Sequence, residues 1–223
     1  MKKNPCVFIP AYNEQKHIGR VLEGALETGL DIIVIDDGSA DRTVDIISAT
    51  SAILLRHEVN QGKGVAIRTA IQYALEHDYP AALFMDADGQ HLPTEIPRFV
   101  ESFSTTGADI ILGSRMHDIR AMPLVRKMSN RFSSLLVSLV ARRRITDSQS
   151  GYRLLSARFL QSLAERGGAG FDFESEMLID AAREGFSYAE VPISCVYGDE
   201  TSHYHPLRDS AGFLSLIIRK LFR

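Results

Sequence analysis

Short apolar runs alternate with amphipathic segments through the first half of the chain. Cys6–Ile9 is a strand-length apolar run closed by Pro10. Ile18, Val21, Leu22, Ala25 and Leu26 then recur at the i, i+3, i+4, i+7, i+8 spacing of a helix with one buried face. The β-branched run Ile32–Ile35 ends at Asp36-Asp37-Gly38-Ser39, and Asp41 is placed to cap a helix with Val44 and Ile47 inward. Ala52–Leu55 predicts a third strand. A glycine-rich turn at Asn60–Gly64 opens a helix carrying Ala70, Ile71, Ala74 and Leu75. Ala81–Met85 predicts a fourth strand, Thr94–Phe103 a helix and Asp109–Leu112 a fifth strand. This succession predicts an α/β sandwich, with a mainly parallel central sheet and helices on both faces.

The second half is less regular. Met122–Ala141 reads as a helix with an apolar middle and basic ends, Asp147–Arg153 as a polar loop, Phe171–Glu184 as a helix and Tyr188–Ile193 as a strand. In the tail, Asp209–Arg223, one helical face carries Phe213, Leu214, Ile217, Ile218 and Leu221, with Arg219, Lys220 and Arg223 among them. That pattern suits packing on the domain or lying on a membrane surface, and the helix near Met122–Ala141, with Arg142-Arg143-Arg144 at its end, is the other segment that could approach a membrane. No repeat or low-complexity linker interrupts the chain, so residues 1–223 read as one domain.

Composition narrows the function. Hydrophobic residues make up 45% and charged residues 24% of 223, as in ordinary globular proteins. Two cysteines, Cys6 and Cys195, are too few for a disulfide framework. The opening MKKNPCVFIP lacks the apolar core of a signal peptide, and no stretch approaches the roughly 18 apolar residues of a membrane span. A cytoplasmic location is the expectation, with peripheral contact at the inner membrane face as an addition. A net charge of −3 and a pI of about 6.2 argue against a general nucleic-acid binder. The charge is uneven, however. Arg115–Arg144 holds eight basic residues and the single acid Asp118, a net +7, and Arg208–Arg223 carries +3. Local anionic partners follow: a phosphate or an anionic lipid surface.

In open α/β sheets, ligands bind beyond the carboxyl ends of the strands. Three polar clusters fall there: Pro10–Glu14, Asp36–Ser39 and Asp86–Gln90. Carboxylates so crowded need a cation or hydrogen-bond donors. Asp86-Ala87-Asp88 places two hard oxygen ligands one residue apart, which favours Mg2+ or Mn2+ sharing its coordination with substrate phosphates. Asn60-Gln61-Gly62-Lys63-Gly64 lacks the spacing of a nucleotide-triphosphate P-loop, but its glycines allow a turn into a helix N-terminus that attracts anions.

Seven stretches in order then carry a resemblance: IPAYNE (Ile9–Glu14), VIDDGSAD (Val34–Asp41), NQGKG (Asn60–Gly64), MDADGQH (Met85–His91), GSR (Gly113–Arg115), DSQSGYR (Asp147–Arg153) and EVPI (Glu190–Ile193). Together they resemble the family 2 glycosyltransferases of the GT-A fold over nearly the whole chain. Within that family the chain looks most like the polyprenyl-phosphate sugar transferases of the dolichol-phosphate mannosyltransferase group. The resemblance implies a nucleoside-diphosphate sugar donor of the GDP-mannose or UDP-glucose type and a polyprenyl phosphate acceptor. It implies that Pro10, Tyr12, Glu14, Ile35 and Asp37 hold the nucleoside, and that Asp86, Asp88 and Gln90 organise the metal and diphosphate, with Ala87 and Lys63 beside them. It also implies that Arg115 and Arg126 receive the acceptor phosphate.

An ionised lipid phosphate needs no general base, and positioning by arginines supplies much of the rate. In the resembling family a single displacement inverts the anomeric centre. A hydroxyl acceptor would require a base, for which Asp147 is the candidate, although it serves equally to hold its loop. The chain departs from the family after EVPI. Where relatives have Arg-x-x-Gly-x-Ser-Lys, it has Tyr197, Glu200 and His203 at the arginine, glycine and lysine positions, so His203 is left to meet the metal or diphosphate. A non-catalytic sugar-nucleotide-binding subunit is the competing class. A nucleotidyltransferase would show a glycine-rich, lysine-bearing N-terminal signature, and Pro10–Glu14 has none.

Overall fold

The computed structural model describes residues 3–117, 124–166, 173–194 and 206–221. Seven strands form one sheet: β1 (Cys6–Ala11), β2 (Ile32–Asp36), β3 (Ile53–Arg56), β4 (Ala81–Phe84), β5 (Ile110–Ser114), β6 (Arg153–Ser156) and β7 (Tyr188–Pro192). Their order is β3-β2-β1-β4-β6-β5-β7. The β1–β2, β2–β3, β1–β4 and β5–β7 pairs are parallel, and β6 runs antiparallel between β4 and β5.

Helices cover both faces: α1 (Ile18–Leu26), α2 (Thr43–Ser48), α3 (Lys63–Glu76), α4 (Ile96–Thr106), α5 (Leu124–Ala141), α6 (Ala157–Arg166), α7 (Phe173–Arg183) and α8 (Pro206–Leu221). The central strands are continuous apolar runs because each feeds two cores at once. Phe8, Ile33 and Ile35 pack beneath α3 and α5–α8, whereas Val7, Ile9, Ile32 and Val34 pack toward α1, α2 and α4. Cys6 is buried in β1, and burial pushes its thiol pKa up, as suits a core residue rather than a nucleophile.

The expected strands and the helices of the first half are present. Two elements were not predicted. β6 begins where a polar loop was expected to end, and α6 follows it directly, burying Phe159, Leu160 and Leu163. The amphipathic tail is also rearranged. In α8, Leu216, Ile217 and Lys220 are buried, while Leu214, Ile218 and Leu221 face out. Lys220 does not reach outward for lipid phosphates, because its Nζ bonds both oxygens of Asp180, at 2.7 and 2.8 Å, and lies 2.9 Å from Glu176. Paired acids on α7 make burial of that ammonium tolerable. Arg223 lies outside the described residues.

One glycine fixes how β2 hands over to the next loop. Gly38 has φ +74°, and a Cβ there would sit 2.6 Å from the Asn60 nitrogen and the Val59 carbonyl carbon. Gly38→Ala should combine left-handed strain with a backbone clash and cost about 2–4 kcal/mol. A thermal melt should register this as a drop of several degrees; an unchanged melting temperature would mean that this approach carries no strain.

Candidate active site

β1 has β2 on one side and β4 on the other, so the chain reverses its winding there and opens a crevice at the carboxyl ends. The loops at that edge are stitched together. Asn13, at φ +56°, gives its N–H to Ser39 Oγ at 2.9 Å and accepts the Ala40 N–H on Oδ1 at 2.9 Å. The Glu14 N–H reaches Thr43 Oγ1 at 2.8 Å and the Gln15 N–H reaches Asp41 Oδ2 at 3.2 Å. Asp41 also accepts the Thr43 N–H, although Arg42, one residue later, takes the cap position of α2. The IPAYNE and VIDDGSAD stretches are thus two halves of one rigid rim, from which Tyr12 projects, 39% exposed.

Asp37 is 3% exposed, and its carboxylate turns into the protein. It accepts the Gln61 N–H at 3.0 Å and the Gly62 N–H at 2.7 Å, and lies 2.7 Å from His57 Nδ1. His57 Nε2 in turn meets Thr69 Oγ1 on α3 at 2.9 Å. Asp37 therefore anchors the NQGKG turn rather than presenting a free carboxylate to a nucleoside. The consequence lies at Lys63, whose Nζ bonds Asp86 Oδ1 at 2.7 Å. Two expected site residues, distant in sequence, are brought into contact by a tie that sequence reasoning did not see.

Around Asp86 the packing is close. Its N–H donates to His91 Nδ1 at 3.3 Å; the His91 ring is buried and stacked on Tyr152 at 4.8 Å. A Cβ on Gly151 would press into the Asp86 carboxylate, so only glycine lets the segment before β6 pass here. Arg153, the first residue of β6, is buried with Nη2 on the Ser150 carbonyl at 2.7 Å. Burial alone would raise the Asp86 pKa, but Lys63 and Arg153 outweigh it and hold the carboxyl well below the usual range. Glu14 goes the other way, pushed up to about 7 by burial and by the charges of Asp88, Asp86 and Asp41.

The carboxylates fit a hard divalent ion by donor chemistry. Asp86 and Asp88 stand one residue apart at the end of β4, and Asp88 Oδ1 is oriented by the Gln90 N–H at 2.9 Å. Among the described residues, no three His, Cys, Asp or Glu side chains form a ready ligand set. Two carboxylates would hold Mg2+ or Mn2+ with substrate and water completing its coordination, a common arrangement for Mg2+. Gln90 enters this picture through its backbone. Pro10 lines the cleft beside Lys63, Met85 and Asp86. Ile35 and Ala87 do not offer side chains to it: both are buried in the core. His203 lies outside the described residues, as does the side chain of Arg126.

At the other end of the crevice, Arg115 follows β5. Its Nε and Nη2 bond Asp147 Oδ2 and Oδ1, each at 2.7 Å, and its N–H adds a third bond at 3.0 Å. Asn130 Nδ2 on α5 supplies a fourth at 2.9 Å. Asp147 is fully buried, and although burial raises its pKa, the Arg115 and Asn130 bonds hold it below the usual range. A carboxylate so saturated orients Arg115; it is not a general base. Glu190 of the EVPI stretch fixes the same segment from β7, accepting the Thr146 N–H at 2.9 Å and its hydroxyl at 2.7 Å.

The family model described as glycosyl transferase family 2 matches residues 6–164. A UDP-N-acetylglucosamine–dolichyl-phosphate N-acetylglucosaminyltransferase of Methanococcus voltae is 33% identical over 213 residues, covering 86% of this chain and 85% of its own. An undecaprenyl-phosphate mannosyltransferase of Micrococcus luteus is 33% identical over 203 residues, covering 85% of this chain and 82% of its own. Among solved structures, glucosyl-3-phosphoglycerate synthase from Mycobacterium tuberculosis in complex with UDP superposes with a TM-score of 0.75 at 22% identity, over 99% of this chain and 80% of that one. That is a likeness of fold.

Asp147→Asn should destabilise the protein by about 3–5 kcal/mol at neutral pH, because it leaves a half-buried guanidinium without its counter-charge. The Asp147 pKa is lowered on folding, so the carboxylate's contribution is present above its unfolded value of about 3.9 and fades as pH falls through the folded value. Melting curves of wild type and variant should therefore converge in acid. A difference that stays constant from neutral pH downward would show that the charge is not what matters.

Proposed function

The chain belongs to glycosyl transferase family 2, and from that premise we propose that it moves a hexose from a nucleoside-diphosphate sugar, of the GDP-mannose or UDP-glucose type, to a polyprenyl phosphate. The observation that carries the acceptor is the saturation of Asp147. Asp147, the acid that the sequence offers as a base toward a hydroxyl, is committed to four hydrogen bonds that aim Arg115, so an acceptor already ionised near neutral pH suits the site. The polyprenyl-phosphate transferases of Methanococcus voltae and Micrococcus luteus, similar over most of their length, support the same reading.

Asp86 and Asp88 would hold Mg2+ or Mn2+, which when bound offsets the charge that builds on the leaving diphosphate. Lys63, carried to this point by Asp37 and His57, sets a second positive charge beside the same group. The Pro10–Glu14 rim, with Tyr12 exposed, borders the nucleoside. Arg115, locked by Asp147, aims the acceptor phosphate oxygen at the anomeric carbon. The oxygen–carbon bond forms as the bond to the diphosphate breaks, which inverts that carbon. A polyprenyl phosphate lives in a bilayer, so the enzyme works as a peripheral protein at the cytoplasmic membrane surface.

The test is incubation with Mn2+, polyprenyl phosphate and a panel of labelled UDP and GDP sugars, followed by counting the organic phase. One donor should deliver label to the lipid, and EDTA or Asp88→Ala should lower the rate by roughly a hundredfold or more. Label found only in water-soluble saccharide would replace the acceptor, full activity in EDTA would remove the metal, and no transfer with any donor would favour a non-catalytic binding subunit.

A further inference from the structure

Helix α5 meets the domain with a mixed face: Val137, Val140 and Ala141 are buried in the core, and polar side chains are buried beside them. Asn130 bonds Asp147, Ser134 Oγ accepts the Ser148 N–H at 2.9 Å, Ser133 Oγ accepts from Gln149 Nε2 at 3.2 Å, and Ser138 Oγ bonds both the N–H and the carbonyl of Ile145. Its outward face carries Leu124, Met128, Phe132, Leu135 and Leu139, each between 57% and 69% exposed. The spacing of four, four, three and four residues sets them in one stripe about 22 Å long at 1.5 Å per residue. α8 packs beside α5 and adds the exposed Leu214, Ile218 and Leu221. Large contiguous apolar surface on a helix mantle marks a docking site.

The charge around the stripe names the occupant. From Leu124 to Arg144 there are six basic residues and no acid. Arg131 and the run Arg142–Arg144 are exposed. Where α5, α7 and α8 meet, Arg142, Arg143 and Arg183 line a groove closed by Val140, Ala141 and Leu221. Two of these guanidiniums are already placed: Arg143 donates to the Phe186 carbonyl at 2.9 Å, and Arg183 to the Lys220 carbonyl. A second copy docked on this face would oppose like charges. We propose that the α5 stripe, with the exposed residues of α8 and the arginine groove, is the surface by which the protein lies on an anionic lipid bilayer, apolar side chains in the acyl boundary and arginines on lipid phosphates. The proposal rests on the polyprenyl-phosphate reading for its purpose. It adds a geometry, because Asn130 joins the membrane-facing helix directly to the Asp147–Arg115 pair that receives the acceptor.

Sedimentation of the full chain with vesicles tests this without any acceptor present. Binding should be strong to phosphatidylglycerol-containing vesicles, weak to phosphatidylcholine alone, and reduced by salt. Leu135→Glu with Leu139→Glu should lower it by roughly tenfold or more while leaving the melting temperature unchanged, since both side chains are exposed. Arg142→Gln with Arg144→Gln should remove the preference for anionic lipid. Absence of vesicle binding by the wild type, binding indifferent to lipid charge, or a wild-type dimer that the leucine variant turns into a monomer would each overturn the proposal. Transfer to polyprenyl phosphate dispersed in detergent, measured alongside, reports on the acceptor reading separately, because it needs no bilayer docking.

Discussion

The site is organised around a repulsion. Glu14, Asp86 and Asp88 come from two strand ends that the β1–β4 pairing makes neighbours, and burial together with the neighbouring acids pushes Glu14 up to about 7. A folded chain tolerates such a cluster only with cations or donors nearby. Much of the surrounding architecture supplies them. Lys63 sits on Asp86 because Asp37 and His57 hold the turn that carries it, and Gly38 and Gly151 are the positions where a side chain would collide with that arrangement. The donor chemistry of Asp86 and Asp88 is the kind that suits a hard divalent ion.

Sequence patterning reveals those parts of the fold whose signal is local. β1, β2, β4 and β5 are buried on both faces and therefore appear as unbroken apolar runs. β6 escapes because its ends are polar. Arg153 and Ser156 are satisfied by Ser150 and by Asp109, the latter far away in sequence, so Arg153-Leu154-Leu155-Ser156 carries too little apolar pattern to be read as a strand. α6 left a weak trace in Phe159, Leu160 and Leu163. The tail shows the converse error. Its apolar residues span too wide an arc to tell inside from outside, and the burial of Lys220 depends on Asp180 and Glu176 of another helix.

The site was legible as motifs but not as a mechanism. The carboxylate pair, the lysine turn and the GSR arginine all stand out by residue type and order. What links them is tertiary: His57 beneath the turn, His91 and Gly151 against Asp86, and Glu190 bracing the Asp147 segment from β7. Both carboxylates have a supporting part: Asp37 braces a loop, and Asp147 orients an arginine, which is the holding role that the sequence left open beside that of a base. Asn130 links this arginine pair to α5, whose opposite side leaves Leu124, Met128, Phe132, Leu135 and Leu139 exposed.

The central claim is that the acidic crevice needs a cation to accept a diphosphate. Calorimetric titration of GDP and UDP into the protein, with Mn2+ and then with EDTA, addresses it directly. The preferred nucleotide should bind at least about tenfold more tightly with Mn2+, because Asp86 and Asp88 would hold an ion that offsets the diphosphate charge. Equal affinity in EDTA would contradict it, and would mean that Lys63 and backbone donors suffice to hold the diphosphate against three carboxylates.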